Sequence, residues 1–193
     1  MTSIRQKVNL LRPQDIVPDL ASALTSLQNI KAKTSSEHVQ FLLQQKEDDF
    51  HEALRLAAGL VFDVLVSDDT VVRGQEFNFT ISVTNGGPYS FARLQAVTDL
   101  PPGWNMTPDG SSGSLQPGQR LDQKYKVKVP LDTDFTQPYW LRQPRQADRF
   151  VWPNVPAGAL PADEVLLSTG AEVDFQGTAI VMKKRAEFRR VDR

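Results

Sequence analysis

The feature that most constrains this chain is a compositional break at Gly59. Residues 13–58 contain no glycine and only two prolines, Pro13 and Pro18, whereas glycine, proline and β-branched residues are frequent from Gly59 onward. Glycine and proline break helices from within and punctuate strands and turns. The break therefore predicts helices first and strands after. It sets a helical segment at 1–59 ahead of a β domain at 60–193.

The first helix is expected to start near Pro18, because proline is tolerated at the first helical position. Leu20, Leu24, Leu27 and Ile30 then form one apolar stripe. Thr34 followed by Glu37 has the spacing of a capping box and marks the next helix start. Val39, Leu42, Leu43, Phe50, Leu54 and Ala57 line one face of that helix. Gln44, Gln45, Glu47, Asp48 and Glu52 occupy the other, and Gly59 supplies the stop. The short link favours an antiparallel hairpin. Two helices cannot enclose a core alone, so one face must dock on the following β domain, on a neighbouring domain or on a second copy of the chain.

Beyond the break the apolar period changes. Leu60–Val66 is a short apolar run. Phe77, Phe79, Ile81 and Val83 alternate with polar residues until Asn85-Gly86-Gly87-Pro88 closes the strand. Leu94, Ala96 and Thr98 suit a further strand, and Pro101-Pro102-Gly103-Trp104 a turn. Tyr125, Val127 and Val129 alternate with Lys124, Lys126 and Lys128, which read as a solvated or edge-guarding row. Val173, Phe175, Gly177, Ala179 and Val181 begin a last long pairing that ends in Glu187–Val191. Short strands at this spacing, over about 100 residues, suit an immunoglobulin-like sandwich. The predicted class is α+β: an N-terminal helical hairpin followed by an immunoglobulin-like antiparallel β-sandwich.

One segment fits no strand. Tyr139, Trp140 and Trp152 fall among Arg142, Arg145 and Arg149. Aromatics beside arginines make a sugar-stacking platform or a protein interface. The plainer alternative is a long connection anchored over one end of the sandwich. These six residues are the candidate interaction surface.

Signals for chemistry are sparse. The net charge of −1 gives no electrostatic case for nucleic acid or an anionic membrane. No stretch is apolar enough to span a bilayer. Cysteine is absent, which excludes disulfides, thiolate nucleophiles and Cys-ligated metals. His38 and His51, the only histidines, lie thirteen residues apart on one predicted helix. At about 100° per residue they fall on roughly opposite sides and cannot share one metal. Asp63, Asp68 and Asp69 near a strand end offer oxygen ligands for calcium, but their spacing matches no calcium loop. No catalytic, cofactor-binding or metal-binding residue is assigned.

A family resemblance rests on Gln45-Lys46-Glu47 with Phe50, Leu56–Leu60, Val71-Val72-Arg73-Gly74-Gln75, Thr136–Leu141, Phe150-Val151-Trp152-Pro153 and Arg185–Asp192. Together they resemble the region that follows the catalytic domain in large bacterial PIG-L (LmbE-like) deacetylases. The β part also resembles sandwich modules appended to bacterial glycosidases. PIG-L enzymes use zinc-bound water to deacetylate an N-acetylglucosamine-like substrate, with a His-Pro-Asp-Asp signature that is missing here. By this resemblance Met1 begins about where the catalytic domain ends, so the chain is either an excised piece or a gene product without its enzyme.

The resemblance implies a non-catalytic interaction or scaffold domain that positions a PIG-L-like catalytic domain, in cis or in trans. It also implies an extracytoplasmic location. A carbohydrate-binding module using Trp104, Tyr139, Trp140 and Trp152 against a glycan is the alternative. A stand-alone metal-dependent hydrolase is the remaining one.

Overall fold

In a computed structural model, residues 2–109, 113–149 and 167–189 are described. Three helices, α1 (Thr2–Lys7), α2 (Val17–Lys33) and α3 (Glu37–Ala57), precede the strands. These are β1 (Leu60–Val66), β2 (Glu76–Asn85), β3 (Leu94–Asp99), β4 (Asn105–Asp109), β5 (Arg120–Lys128), β6 (Ser168–Phe175), β7 (Thr178–Arg185) and β8 (Glu187–Phe188). The α+β class follows as predicted. α1 and a 3-10 turn at Pro13–Ile16 add to the two helices expected.

The strands form two sheets, β4-β5-β2-β1-β8 and β3-β6-β7. All pairings are antiparallel except β1 with β8, which run parallel through Leu65–Glu187 and Val66–Phe188. The alternation read in β2 sets its register. Phe77, Phe79, Ile81 and Val83 are all buried, facing Leu94 of β3, Val173 and Phe175 of β6, and Ile180 and Met182 of β7 in one apolar cluster. Cross-strand partners Phe79 and Tyr125 stack with ring centroids 4.9 Å apart.

Sequence reading fails in two places on this sheet pair and is narrowed in a third. β4 is unanticipated, and it holds a proline, Pro108. β4 lies at a sheet edge, the position where proline is tolerated. β5 is therefore interior, so its exposed lysines are a solvated row and guard no edge. The expected alternation through Val181 changes phase at the two-residue turn Gln176-Gly177. Both turn residues have positive φ, as a tight hairpin turn requires, and Ile180 and Met182 become the buried residues of β7.

The hairpin is antiparallel: Gln28 and Lys31 of α2 donate to Glu47 and Gln44 of α3 in opposite chain directions. The capping box does not form. Thr34 caps the C-terminus of α2 and its hydroxyl donates to the Ile30 carbonyl, while Ser36 is the N-cap of α3. The apolar face of α3 is buried only in its C-terminal half. Leu54, Ala57 and Ala58 join Val17, Leu20 and Leu24 of α2 in the same cluster as the sandwich core. Nearer the hairpin tip, Val39 is 40% and Leu42 45% exposed on α3, and Ile30 58% on α2. The hairpin thus docks on the sandwich, against β1 and the outer strand β7.

The helix-to-strand junction is tight. Gly59 ends α3 with φ +71° and its carbonyl accepts the Gly86 N–H. A Cβ on Gly87 would lie 2.0 Å from the Ala58 carbonyl oxygen. Asn85 is fully buried and fixes the turn: its amide donates to the Tyr89 carbonyl, and its side-chain oxygen accepts the Gly87 N–H.

Candidate functional site

The predicted surface lies on the connection that leaves β5. Arg73 anchors the start of it, donating from Nε to the Thr133 carbonyl at 2.6 Å and covering the Phe135 ring at 4.2 Å. Sequence reading gave Arg73 no role of its own, and cation–π geometry across some sixty residues has no local sequence signature.

Tyr139 and Trp140 then open a 3-10 turn, Tyr139–Leu141, in which the Leu141 N–H donates to the Pro138 carbonyl. Trp140 is half-buried. Arg142, Arg145 and Arg149 are exposed. Arg149 and Gln146 exchange backbone hydrogen bonds across a tight turn in which Ala147 takes φ 50°. The fold therefore puts Trp140 and the three arginines on one polar, solvent-facing connection. Trp152 lies outside the described residues.

Trp104 does not belong to this surface. It is buried, edge-on to Phe77 with centroids 6.0 Å apart, and so cannot present its ring to a sugar. The ring lies in the same apolar cluster as the sandwich core.

A second concavity, unread in the sequence, lies between the helices and β7. It encloses about 760 Å³ and is lined by Lys31, Glu47, His51, Arg55, Val181 and Lys183 among others. Glu47, expected on the outer polar face of α3, points inward here. It pairs with Lys31 at 2.7 Å and accepts from Gln28 at 2.8 Å. Burial alone would raise its carboxyl, but the bonds from Lys31 and Gln28 outweigh that and hold it below the usual range. His51 is buried, and its Nδ1 accepts the backbone N–H of Val181 at 3.1 Å. Its proton therefore sits on Nε2, 3.9 Å from Glu47. Burial pushes the imidazole below its ordinary value, against the pull of Glu47 and Asp48.

His38 is exposed and His51 is bonded to the sheet. Asp63 is held by Lys184 and Arg189, each at 2.7 Å, which takes it out of any oxygen cage with Asp68 and Asp69. Among the described residues, no group of three or more His, Cys, Asp or Glu is placed to hold a metal ion. No described helix is long and apolar enough to cross a membrane.

Residues 71–142 match the NPCBM-associated, NEW3 domain of alpha-galactosidase. This span runs from the approach to β2 through β5 to the 3-10 turn, and ends before Arg145 and Arg149. The likeness of the β part to glycosidase-appended sandwich modules is thereby met. Nothing in the comparisons links the chain to PIG-L deacetylases. No curated protein matches the chain.

Similar solved structures include the FixG-related protein of Vibrio parahaemolyticus, with TM-score 0.38 and 9% identity over 68% of this chain and 97% of that one. The yeast GGA1 GAE domain gives TM-score 0.37 and 12% identity over 65% and 87%. The sporulation control protein Spo0M of Bacillus subtilis gives TM-score 0.36 and 13% identity over 68% and 50%.

Proposed function

We propose that this chain is a non-catalytic accessory module of a larger carbohydrate-active protein, positioning an enzyme domain. The match of residues 71–142 to a domain of alpha-galactosidase is the observation that carries this reading. The connection bearing Trp140 and the exposed Arg142, Arg145 and Arg149, with Tyr139 and Trp152 near them in sequence, is the surface for that contact. Arginine and aromatic side chains are the residue types that most often dominate protein interfaces.

A finer form of the reading names the enzyme domain as a PIG-L-like deacetylase, on the sequence resemblance alone. The extracytoplasmic location follows from the same resemblance. A glycan is the second candidate partner, favoured by the glycosidase association of the matching domain.

Calorimetry of the chain against a PIG-L-type catalytic domain and against an alpha-galactosidase catalytic domain tests both forms. Binding to one of them, weakened about tenfold or more by Arg145→Ala with Arg149→Ala, is the expected result. Binding to the galactosidase domain alone would remove the deacetylase form. Failure with both domains, together with a positive glycan array, would replace scaffolding with sugar binding. Turnover of acetylated sugars by the chain with added zinc would overturn the non-catalytic reading.

A further inference from the structure

β7 is the outer strand of its sheet, so one row of its backbone groups has no neighbouring strand. Phe175 pairs with Thr178 across the two-residue turn, and the antiparallel ladder alternates from there. Val181 stands opposite Glu172 at a position whose N–H points away from β6. That N–H donates instead to Nδ1 of His51. A side chain from α3 thus takes the place that a strand carbonyl would hold. His51 itself is buried, 8% exposed, and Val181 is half-buried beside it.

The groups around His51 are mixed in sign. On α3 are Glu47, with its oxygen 3.9 Å from Nε2, and Asp48. On α2 is Lys31, bound to Glu47. On β6 is Glu172, and on β7 is Lys183. Glu47 is already engaged by Lys31 and Gln28, which limits what it can offer an imidazolium.

We infer that His51 is an acid-sensitive latch: neutral, it fastens α3 to the open edge of β7, and doubly protonated, it lets that seam part. The physical cause is the reversal of Nδ1 from acceptor to donor. Protonation sets N–H against N–H at 3.1 Å and leaves the Val181 amide without its acceptor. The direction agrees with the burial that favours neutral imidazole. Such a group is neutral in the folded chain while the unfolded chain takes up the proton. Its contribution is complete above the ordinary histidine value and declines as pH falls below it. The apolar contacts of Leu54 and Ala57 are independent of pH, so the opening is local.

Amide exchange of the full chain at pH ~7.5 and pH ~5, corrected for intrinsic rates, tests the latch. Protection of the Val181 amide is expected to fall about tenfold in acid, while that of Ile81 in β2 holds. His51→Gln, which accepts through Oε1 and does not titrate, is expected to abolish the acid dependence at Val181. Unchanged Val181 protection in the unmodified chain would overturn the inference. So would a parallel loss at Ile81, which signals global unfolding, or an equal acid loss in a folded His51→Gln variant. Should that variant not fold, an imidazole pKa at or above the ordinary value, read by NMR on the unmodified chain, refutes the latch.

Discussion

Leu54→Ala tests whether the hairpin and the sandwich share one core. Leu54 is fully buried and lies where α3 meets both α2 and the β layer. The substitution deletes roughly three carbons from a site whose neighbours belong to three elements, and rigid surroundings collapse poorly. Leu→Ala in such settings costs about 2–5 kcal/mol, and about 3 kcal/mol is apt here. A chain of this size loses about 2–4 °C of Tm per kcal/mol, so the melt moves down by about 6–12 °C. Helix content by far-UV circular dichroism and exchange of the Ile81 amide in β2 should report the same loss, because one cluster spans both layers. If helix melting moves while Ile81 is unaffected, the two parts unfold separately. The argument from a shared core then fails.

Three further substitutions probe the junction and the C-terminal strand. Gly87→Ala places a methyl group 2.0 Å from the Ala58 carbonyl oxygen, so backbone must move. Urea denaturation should show a loss of more than about 1 kcal/mol, with a smaller one for Gly86→Ala, whose nearest contact is 3.3 Å. Asp63 ties β1 to β7 and the end of β8, and the hydrogen bond from Lys184 holds its carboxyl below the usual range. A depressed carboxyl stabilises the fold above its ordinary value of 3.8 and loses that contribution as pH falls through the folded value. The pair is partly solvated, so the effect is under about 1 kcal/mol. Asp63→Asn should narrow the difference between urea midpoints at pH ~5 and pH ~2, and an unaltered difference would remove the linkage.

Much of the fold was legible in the residues because it rests on local rules. The break at Gly59 separated helices from strands. Strict alternation in β2 and β5 set which side chains face inward, and β1 was visible as one apolar run. What failed were features whose meaning depends on position in the sheet. Pro108 is compatible with a strand only because β4 lies at an edge. The exposed lysines of β5 guard no edge because β4 pairs along that side of the strand. Trp104 looked available in a turn and is in the core. The arginines of the candidate surface were readable as charges on a connection without strand periodicity, and they are exposed. Their partner has no signature in a single sequence.

The sequence by itself determined the order of the elements, the buried face of most strands and the lack of a His-Pro-Asp-Asp zinc motif, since periodicity and residue inventory are properties of the chain alone. Only the tertiary structure decided how far the apolar face of α3 is buried, where Glu47 points and what His51 does. A helix carries several usable faces, and the layer it meets selects among them. The open edge of β7, formed by residues 130 positions away, gives the imidazole nitrogen its donor.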